Sequence, residues 1–393
     1  MKPLATILVG GMIYEGWTKV SVKRSVGDAA ATFELEVSEP DSSAPAWRSW
    51  QIRPGDYCQV SLDGTLVIDG YVDSRQASYS AEEHGIQISG RSKTADLVDS
   101  SVLEDGGQFR GYKVDAIARR LAGKHGVAVK LVAPPGAPFE DEQIWPGGTV
   151  WETIERLCRM RGIAPHDNEN GELVLDQIDQ SAAPAGALIE GVNILSASAT
   201  LRADGRFSEY HVKGQRAGTD EAWGKDASEM EASAADSGVK RYRPLLVVAE
   251  EPGDKEAMKK RADWEAAKRA GEGVEAQATA QGWRDSSSGS LWWPGKLYRF
   301  SSPMLLVDRV LLARSVEWSQ SDDEGTTTQI ELVPPESMTS EPAQGSGGGD
   351  GGAAGRGSAG ITKGRASSLS SPSGKSLAID SIWTDTKPAE AAR

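Results

Sequence analysis

Hydrophobic and polar residues alternate along the N-terminal part of the chain with the two-residue period of strands that bury one face. The alternation runs through residues 32–37 and again through Cys58, Val60 and Leu62. Asp63-Gly64 follows, a dipeptide favoured in tight hairpin turns. Many short strands joined by turns predict a small barrel or sandwich. We place this first β-barrel-like domain at residues 1–103.

The period changes to about three and a half residues in the middle of the chain, which predicts helices. Residues 114–121 and 150–158 each carry one apolar helical face, and a glycine and a short strand follow each helix. The predicted strands are 127–132 and 172–175. We place a small α+β domain at residues 104–187. The recurrence of helix, glycine and strand leaves open whether this domain arose by duplication.

Strand-like alternation then returns and predicts a second β-barrel-like domain at residues 188–338. Its predicted strands are 206–215, 245–249, 274–280, 297–301, 305–316 and 326–333. An insertion at 217–272 interrupts them, with a polar, acidic, mobile loop at 218–238 and an amphipathic helix at 254–270. Residues 339–393 are rich in Gly and Ser and predict a flexible tail. The expected fold class is α+β and mostly β, with two β-barrel-like domains, an intervening small α+β domain and a disordered C-terminal tail.

A corner between a strand and a helix is predicted within residues 86–102. Gly90 lets the backbone leave the sheet. Ser92 is expected to cap the following turn, and Leu97 and Val98 to give the short helix an apolar side. We interpret this corner as structural rather than catalytic.

Composition and charge narrow the function classes. The chain has 393 residues, enough for two or three domains, and a formal net charge of −14. Tight binding to nucleic acid phosphates is not expected, because it needs clustered Lys and Arg. Cys58 and Cys158 show no metal or redox spacing and are expected to be buried, reduced thiols. The apolar run from Leu4 to Val9 is too short for a signal peptide or a membrane span, so we expect assembly in a cytoplasm.

Residues able to carry chemistry do not form a catalytic or metal-binding pattern. The segment 167–171 suggests a calcium loop only superficially, because its oxygen ligands lack alternate spacing. Gly374-Lys375-Ser376 lacks the first glycine and the preceding strand of a phosphate-binding loop. Four histidines fall in four different elements without ligand spacing, namely His84, His125, His166 and His211. We therefore predict no cofactor, no metal and no enzymatic activity.

Tryptophan is frequent, with twelve in the chain. Its large area and single donor suit a mostly buried edge at a subunit interface. The alternatives are core packing, a sugar-binding shelf that also includes Trp47 and Trp50, or, for arginines, solvated surface. The candidate subunit or partner contacts are Arg91, Trp145, Trp151, Arg206, Trp292, Trp293 and Arg309.

The resemblance to a known family rests on four segments: GRSKTADLVDSSV from Gly90 to Val102, TVWETIERLCRMRGIAPHDNENGELVL, RFSEYHVKGQ and TTTQIELVPPE. On these segments the chain resembles the baseplate hub proteins of Mu-like contractile-tailed phages. The resemblance implies two related barrel domains per chain, and three chains that close into a ring of six barrels. It also implies a channel that continues the tail tube and adapts its six-fold symmetry to a three-fold spike.

The expected function is therefore that of a structural baseplate hub in a virion tail assembled in the bacterial host cytoplasm. Expected partners are two further copies of the chain, the central spike protein, the tail-tube or distal tube protein, baseplate wedge proteins and the tape-measure protein. DNA is expected to pass without specific binding, helped by an acidic lumen, and no stable membrane insertion is expected. The alternative is a tail-associated cell-wall hydrolase or glycan-binding module, with a facing carboxylate pair or a tryptophan shelf.

Overall fold

The structure is a computed structural model that describes residues 5–39, 51–80, 84–104, 106–145, 147–214, 230–248 and 255–338. All of them lie in the first of the two units into which the chain divides, residues 1–347. The predicted flexible tail at 339–393, like Trp47 and Trp50, lies outside the described residues.

The N-terminal part of the described chain is built of strands that alternate buried and exposed positions, as the sequence predicted. In chain order, β1 to β7 are Ala5–Val9, Met12–Tyr14, Lys19–Ser25, Thr32–Glu39, Tyr57–Leu62, Thr65–Tyr79 and His84–Ser92. A short helix, α1, follows at Ala95–Asp99. The strand pattern is confirmed, and with it the mostly β fold class.

The middle of the chain forms a separate small core of two helices and a three-stranded sheet. Its elements are β8 (Gln108–Phe109), α2 (Val114–Gly123), β9 (Val129–Leu131), β10 (Glu142–Gln143), α3 (Val150–Arg159), β11 (Ala164–Asp167) and β12 (Leu173–Asp176). Both predicted helices are confirmed. Thr149 and Glu152 form a reciprocal capping box that sets the start of α3.

The C-terminal part of the chain is again mostly strand. It comprises β13 (Gly186–Ile189), β14 (Ile194–Leu201), β15 (Glu209–Gly214), β16 (Met230–Ala235), β17 (Pro244–Val248), α4 (Lys255–Glu272), β18 (Val274–Gln281), β19 (Leu297–Ser302), β20 (Val307–Ser321), β21 (Gly325–Val333) and a 3-10 helix at Pro335–Met338. Strands β15 to β17 form a small sheet of their own, which contacts α4.

One thirteen-stranded sheet joins the two ends of the chain. Its main path runs β14-β18-β21-β20-β3-β4-β7-β6-β5-β1-β2, and β19 and β13 extend it sideways from β20. The two halves meet where Ser315–Ser321 of β20 pairs antiparallel with Lys19–Ser25 of β3. Buried residues of both halves form one continuous hydrophobic core, the shared core. The predicted domain boundaries stay a prediction, because this shared sheet and core do not test where each domain ends.

The two halves repeat one strand order. The order β3-β4-β7-β6-β5-β1 in the first half corresponds to β14-β18-β21-β20-β19-β13 in the second. Strands β5, β6 and β7 have 6, 15 and 9 residues, and so do β19, β20 and β21. A bulge breaks the register between Val72 and Ser74 in one long hairpin and between Ala313 and Ser315 in the other. The halves differ at the side strand, since β1 is antiparallel to β5 and β13 is parallel to β19.

Two local predictions are wrong. Ser92 does not cap α1, because its hydroxyl accepts the Ala31 N–H and contacts the Thr94 hydroxyl, and Thr94 occupies the N-cap position. The predicted mobile loop at 218–238 contains strand β16, while residues 215–229 lie outside the described part of the chain. Pairing with β15 and packing against α4 outweigh the low strand propensity of the alanines in β16.

Candidate functional site

Eight neighbouring strands of the main sheet, from β14 to β6, present one continuous polar face. The opposite face of these strands packs on the shared core. Because strand residues alternate between faces, the pairing register aligns the outward residues of all eight strands. The outward residues include Ser196, Ser198, Thr200, Gln277, Thr279, Thr327, Gln329, Ser315, Glu317, Ser319, Lys19, Ser21, Lys23, Thr32, Glu34, Glu36, Gln87, Ser89, Arg91, Ser74 and Gln76.

Hydroxyl and amide side chains dominate this polar face, and several of its carboxylates are hydrogen-bonded. The Ser21 hydroxyl donates to Glu317 Oε1 at 2.8 Å, and the Gln87 amide donates to Glu34. Arg314 reaches Glu331 at 3.1 Å and Glu275 at 3.5 Å. Acidic and basic groups are thus interspersed, so the face is hydrophilic without a strong field of one sign.

Burial and hydrogen bonding act in opposite directions on Glu331. Partial burial opposes its ionisation, but hydrogen bonds from Ser315 and Arg314 outweigh this effect and lower the pKa of its carboxyl group. Glu331 therefore remains an anion next to Arg314, and this pair adds no net charge to the polar face.

The predicted arginines form ion pairs within the chain. Arg91 lies between Asp73 and Asp99, at 2.6 and 2.7 Å, and its hydrogen bond lowers the pKa of the Asp99 carboxyl. This pairing ties the end of β7 to α1. Two of these three side chains are about one-third exposed, so the pairs are expected to contribute little stability.

Arg206 and Arg309 also pair locally. Arg206 donates a bidentate pair of hydrogen bonds to the Asp236 carboxylate, at 2.8 and 2.9 Å. These hydrogen bonds lower the pKa of the Asp236 carboxyl. Arg309 contacts Glu336 of the C-terminal 3-10 helix at 3.2 Å. As contacts between chains, all three arginines stay a prediction.

The predicted tryptophans divide between two cores. Trp292 is 1% exposed within the shared core, and Trp293 packs against the same core beside Trp318. Trp151 packs on the small middle core instead. Trp145 is 67% exposed, with Arg156 at 5.0 Å over its ring. Among the described tryptophans, only Trp145 offers most of its surface to a partner, so these four do not make a single shelf.

A cavity of about 400 Å³ lies beside Trp293. Two of its polar side chains form hydrogen bonds within the chain. Arg284 donates to the Thr65 hydroxyl, and Asp285 accepts a hydrogen bond from the Ser287 hydroxyl at 2.6 Å. The cavity lies between the β5–β6 turn and the β18–β19 loop, and the hydrogen bonds of Arg284 and Asp285 hold these two segments in place.

Sequence reasoning missed a buried ion pair where three parts of the chain meet. Arg24 of β3 contacts Asp167 of β11 at 3.0 Å, and the two side chains are 3% and 1% exposed. Arg24 also donates to the Val67 carbonyl, and its guanidinium lies 5.3 Å from the centre of the Trp293 ring. The Ala31 N–H donates to the second Asp167 oxygen at 3.1 Å. In the sequence, Asp167 begins the segment 167–171, whose spacing of oxygen ligands does not fit a calcium loop and which gives no sign of an ion pair with Arg24.

Two further observations concern the described residues alone. No helix among them is both long enough and apolar enough to cross a membrane. No group of three or more His, Cys, Asp or Glu side chains that could hold a metal ion occurs in the same part of the chain. Cys58 and Cys158 are buried and unpaired, and burial raises the pKa of each thiol to about 12.

Family models match the chain in four segments. Residues 5–92 match the N-terminal domain of the Mu phage baseplate assembly protein GpP-like family, and residues 94–177 match the second domain of the baseplate hub protein gp44-like family. Residues 206–264 match the third domain of the tail protein NMB1110-like family, and residues 254–341 match the fourth domain of Mu phage baseplate assembly protein GpP.

Whole-chain comparisons agree with these matches. The chain is 31% identical over 349 residues to the baseplate hub protein gp44 of Escherichia phage Mu, covering 86% of this chain and 89% of the relative. The crystal structure of the 43 kDa tail protein of prophage MuSo2 from Shewanella oneidensis is similar with a TM-score of 0.73 and 31% identity, covering 86% of this chain and all of that one. The tail protein from Neisseria meningitidis MC58 has a similar fold, with a TM-score of 0.68 and 24% identity over 88% of this chain and 99% of that one.

These similarities, together with the β-rich fold, define a structural protein of a phage tail baseplate. Such a protein is a component of the virion tail. The chain belongs to the family of Mu-type baseplate hub proteins. The resemblance stated from the sequence is thereby confirmed.

Proposed function

We propose that this chain forms a homotrimeric ring at the centre of a contractile tail baseplate, between the six-fold tail tube and the three-fold spike. The observation that carries the proposal is the repeated strand order of the two halves, with matching lengths of 6, 15 and 9 residues. Three copies would present six similar β modules, which suit a six-fold tube on one side and a three-fold spike on the other.

The polar face of the eight strands is the proposed channel lining for genome ejection. Short hydroxyl and amide side chains give a passing DNA strand few apolar contacts and few unpaired cations to bind. The proposed acidic lumen is revised on this point: Glu34, Glu317 and Glu331 are interspersed with arginines and lysines, so net repulsion of phosphates is not what keeps DNA moving.

The proposed partners are the central spike, the tail-tube or distal tube protein, the baseplate wedge proteins and the tape-measure protein, and assembly takes place in the host cytoplasm. The support is the membership of the baseplate hub family. The function is structural and requires no turnover. A zymogram on cell walls tests the alternative of a tail-associated hydrolase, and clearing that disappears with a single carboxylate substitution would favour that alternative.

The ring is tested by the mass of the purified full-length chain in solution, measured by light scattering, and by electron microscopy of the same sample. The expected mass is three times the 41.8 kDa of one chain, with ring-shaped particles that have an open centre. A mass of one chain at concentrations well above those used for imaging would contradict the ring. Particles with a closed centre would contradict the channel.

A further inference from the structure

The junction between the two halves provides a template for a junction between chains. The long strand β20 uses its first part to pair with β19, from Val307 to Leu312. Beyond its bulge, residues 315–321 leave β19 and pair with β3 of the other half instead. One side of β20 is thus shared between a strand of its own half and a strand of the next half.

The repeat identifies the counterparts of both partners. By strand order, length and bulge position, β6 corresponds to β20 and β14 corresponds to β3. The residues just after the bulges, Ser74 and Ser315, are equivalent. The ladders of the two halves then make Val20 equivalent to Ala197 and Val22 equivalent to Ala199, and all four pack toward the shared core.

Both counterparts are open edges among the described strands. Strand β6 pairs with β5 up to Tyr71, but residues 74–79 pair with β7 alone. Strand β14 ends the path of the sheet and pairs with β18 alone. Tyr79 is 85% exposed and Leu201 is 49% exposed on these edges. Long open edges that carry apolar residues promote aggregation, so natural proteins pair them or cover them.

We propose that residues 74–79 of β6 in one copy pair antiparallel with β14 of the next copy, in the register that β20 and β3 adopt within the chain. This inference rests on the proposed ring and names its contacts. Ser78 lies opposite Ser198, as Ser319 lies opposite Ser21 within the chain. Tyr79 lies opposite Ala197 on the core side and occupies the position equivalent to Gln320.

Head-to-tail pairing of this kind closes the polar face into a barrel. Internal and external junctions alternate around the ring, and each copy contributes the eight strands from β14 to β6. Three copies then supply more strands than the roughly 16–18 of barrels that hold an open aqueous channel. The polar residues of all eight strands line the inside of this barrel, and the β14 and β6 edges of every copy are then paired.

Paired cysteines test the register in the full chain. In an antiparallel ladder the Cβ atoms of directly opposite residues lie about 4.5–5.5 Å apart. A diagonal neighbour on the same face lies about 7–8 Å away, beyond the reach of an unstrained disulfide. The Ser78→Cys/Ser198→Cys variant should therefore form covalent dimers and trimers under mild oxidation. The matched control, Ser78→Cys/Thr200→Cys, should stay largely uncrosslinked. Cys58 and Cys158 are buried and do not compete.

A mixture of the two single variants, Ser78→Cys and Ser198→Cys, should give one covalent dimer, which shows that the bond joins different chains. The mass of each reduced variant in solution is measured first. A trimer that does not crosslink through Ser78 and Ser198 would overturn the strand pairing and leave the proposed ring standing. A monomer for both the wild-type chain and the variants would overturn the pairing and the ring together.

A charge at the edge provides a second test that needs no oxidation. Tyr79→Asp places a carboxylate where the proposed junction excludes water. The dissociation constant of the trimer should therefore rise at least about tenfold. Tyr242→Asp is the control, because Tyr242 is 80% exposed and lies outside the eight strands. Equal trimer stability in the two variants would contradict the junction.

Discussion

Replacing Asp167 by asparagine should destabilise the fold far more than the loss of a surface ion pair. The substitution keeps the side-chain volume but leaves the guanidinium of Arg24 buried without an anion, because Asp167 and Arg24 are 1% and 3% exposed. Breaking a buried pair in this way costs about 3–5 kcal/mol. Arg24 retains the carbonyls of Val67 and residue 167, so we expect a loss near the lower end, about 3 kcal/mol.

Urea unfolding followed by circular dichroism measures the free energy of unfolding of the variant. At roughly 2 °C for each kcal/mol in a unit of this size, the thermal midpoint should fall by about 6 °C. Hydrogen exchange at the Ala31 N–H should also accelerate, because its hydrogen bond to Asp167 at 3.1 Å loses its charged acceptor and the Ser92 hydroxyl is the acceptor left unchanged. The matched surface control is Asp308→Asn, which removes an exposed pair with Arg299 and should cost less than about 1 kcal/mol.

A double replacement separates the pair from its surroundings. Arg24→Met/Asp167→Leu removes both charges together, so no uncompensated ion remains, and the loss should be smaller than for Asp167→Asn alone. A loss below about 1 kcal/mol for Asp167→Asn would refute the reasoning, since the guanidinium would then have to be solvated or paired elsewhere.

Three further predictions use local geometry. Gly90→Ala should lower the free energy of unfolding by about 2 kcal/mol or more, because the added Cβ would lie 2.2 Å from a backbone oxygen. Gly85→Ala is the control and should cost less in the same urea titration, since the nearest atom to its Cβ is a side-chain oxygen at 3.3 Å. Leu306→Asn should raise the free energy of unfolding by up to about 1 kcal/mol, because the exposed leucine has a φ of 57° that asparagine tolerates better. A lower free energy of unfolding in this variant would contradict the assigned turn. Hydrogen bonds that the His211 ring donates to the carboxylates of Glu209 and Glu231 raise the pKa of His211. Its contribution to stability is therefore complete below pH about 6.5 and disappears as the pH rises through the folded-state pKa, and Glu231→Gln should lower that pKa in an NMR titration.

Local patterning predicted most of the elements. Alternation with period two identified the strands of both ends, and the apolar faces of residues 114–121 and 150–158 identified α2 and α3, because these signals depend only on neighbours in sequence. The strand β16 was missed since its alanines have no strand preference of their own and depend on β15 and α4. Ser92 has the right residue type for a cap, but its hydroxyl accepts a hydrogen bond from Ala31, in the loop before β4.

The sheet that unites the two halves could not be read from local patterning. Its central junction pairs Ser315–Ser321 with Lys19–Ser25, and nothing in either segment specifies a partner so distant in the chain. The same holds for Arg24 and Asp167, which look like ordinary polar residues of a strand and a turn until the fold buries them together. Among the candidate contacts, Trp292 shows the limit of composition, because a tryptophan suits a core as well as an interface, and here it lies in the core.

The repeat also indicates where this fold accepts an inserted domain. In the first half, β3 and β4 are joined by a short loop at residues 26–31, whereas in the second half the equivalent strands β14 and β18 are separated by an entire folded module, β15 to β17 with α4. The same architecture therefore supports a tight turn or a domain at one topological position without any change in strand order. Gly27 and Asp28, exposed at that turn, are the natural place to graft a reporter or a binding domain onto the baseplate.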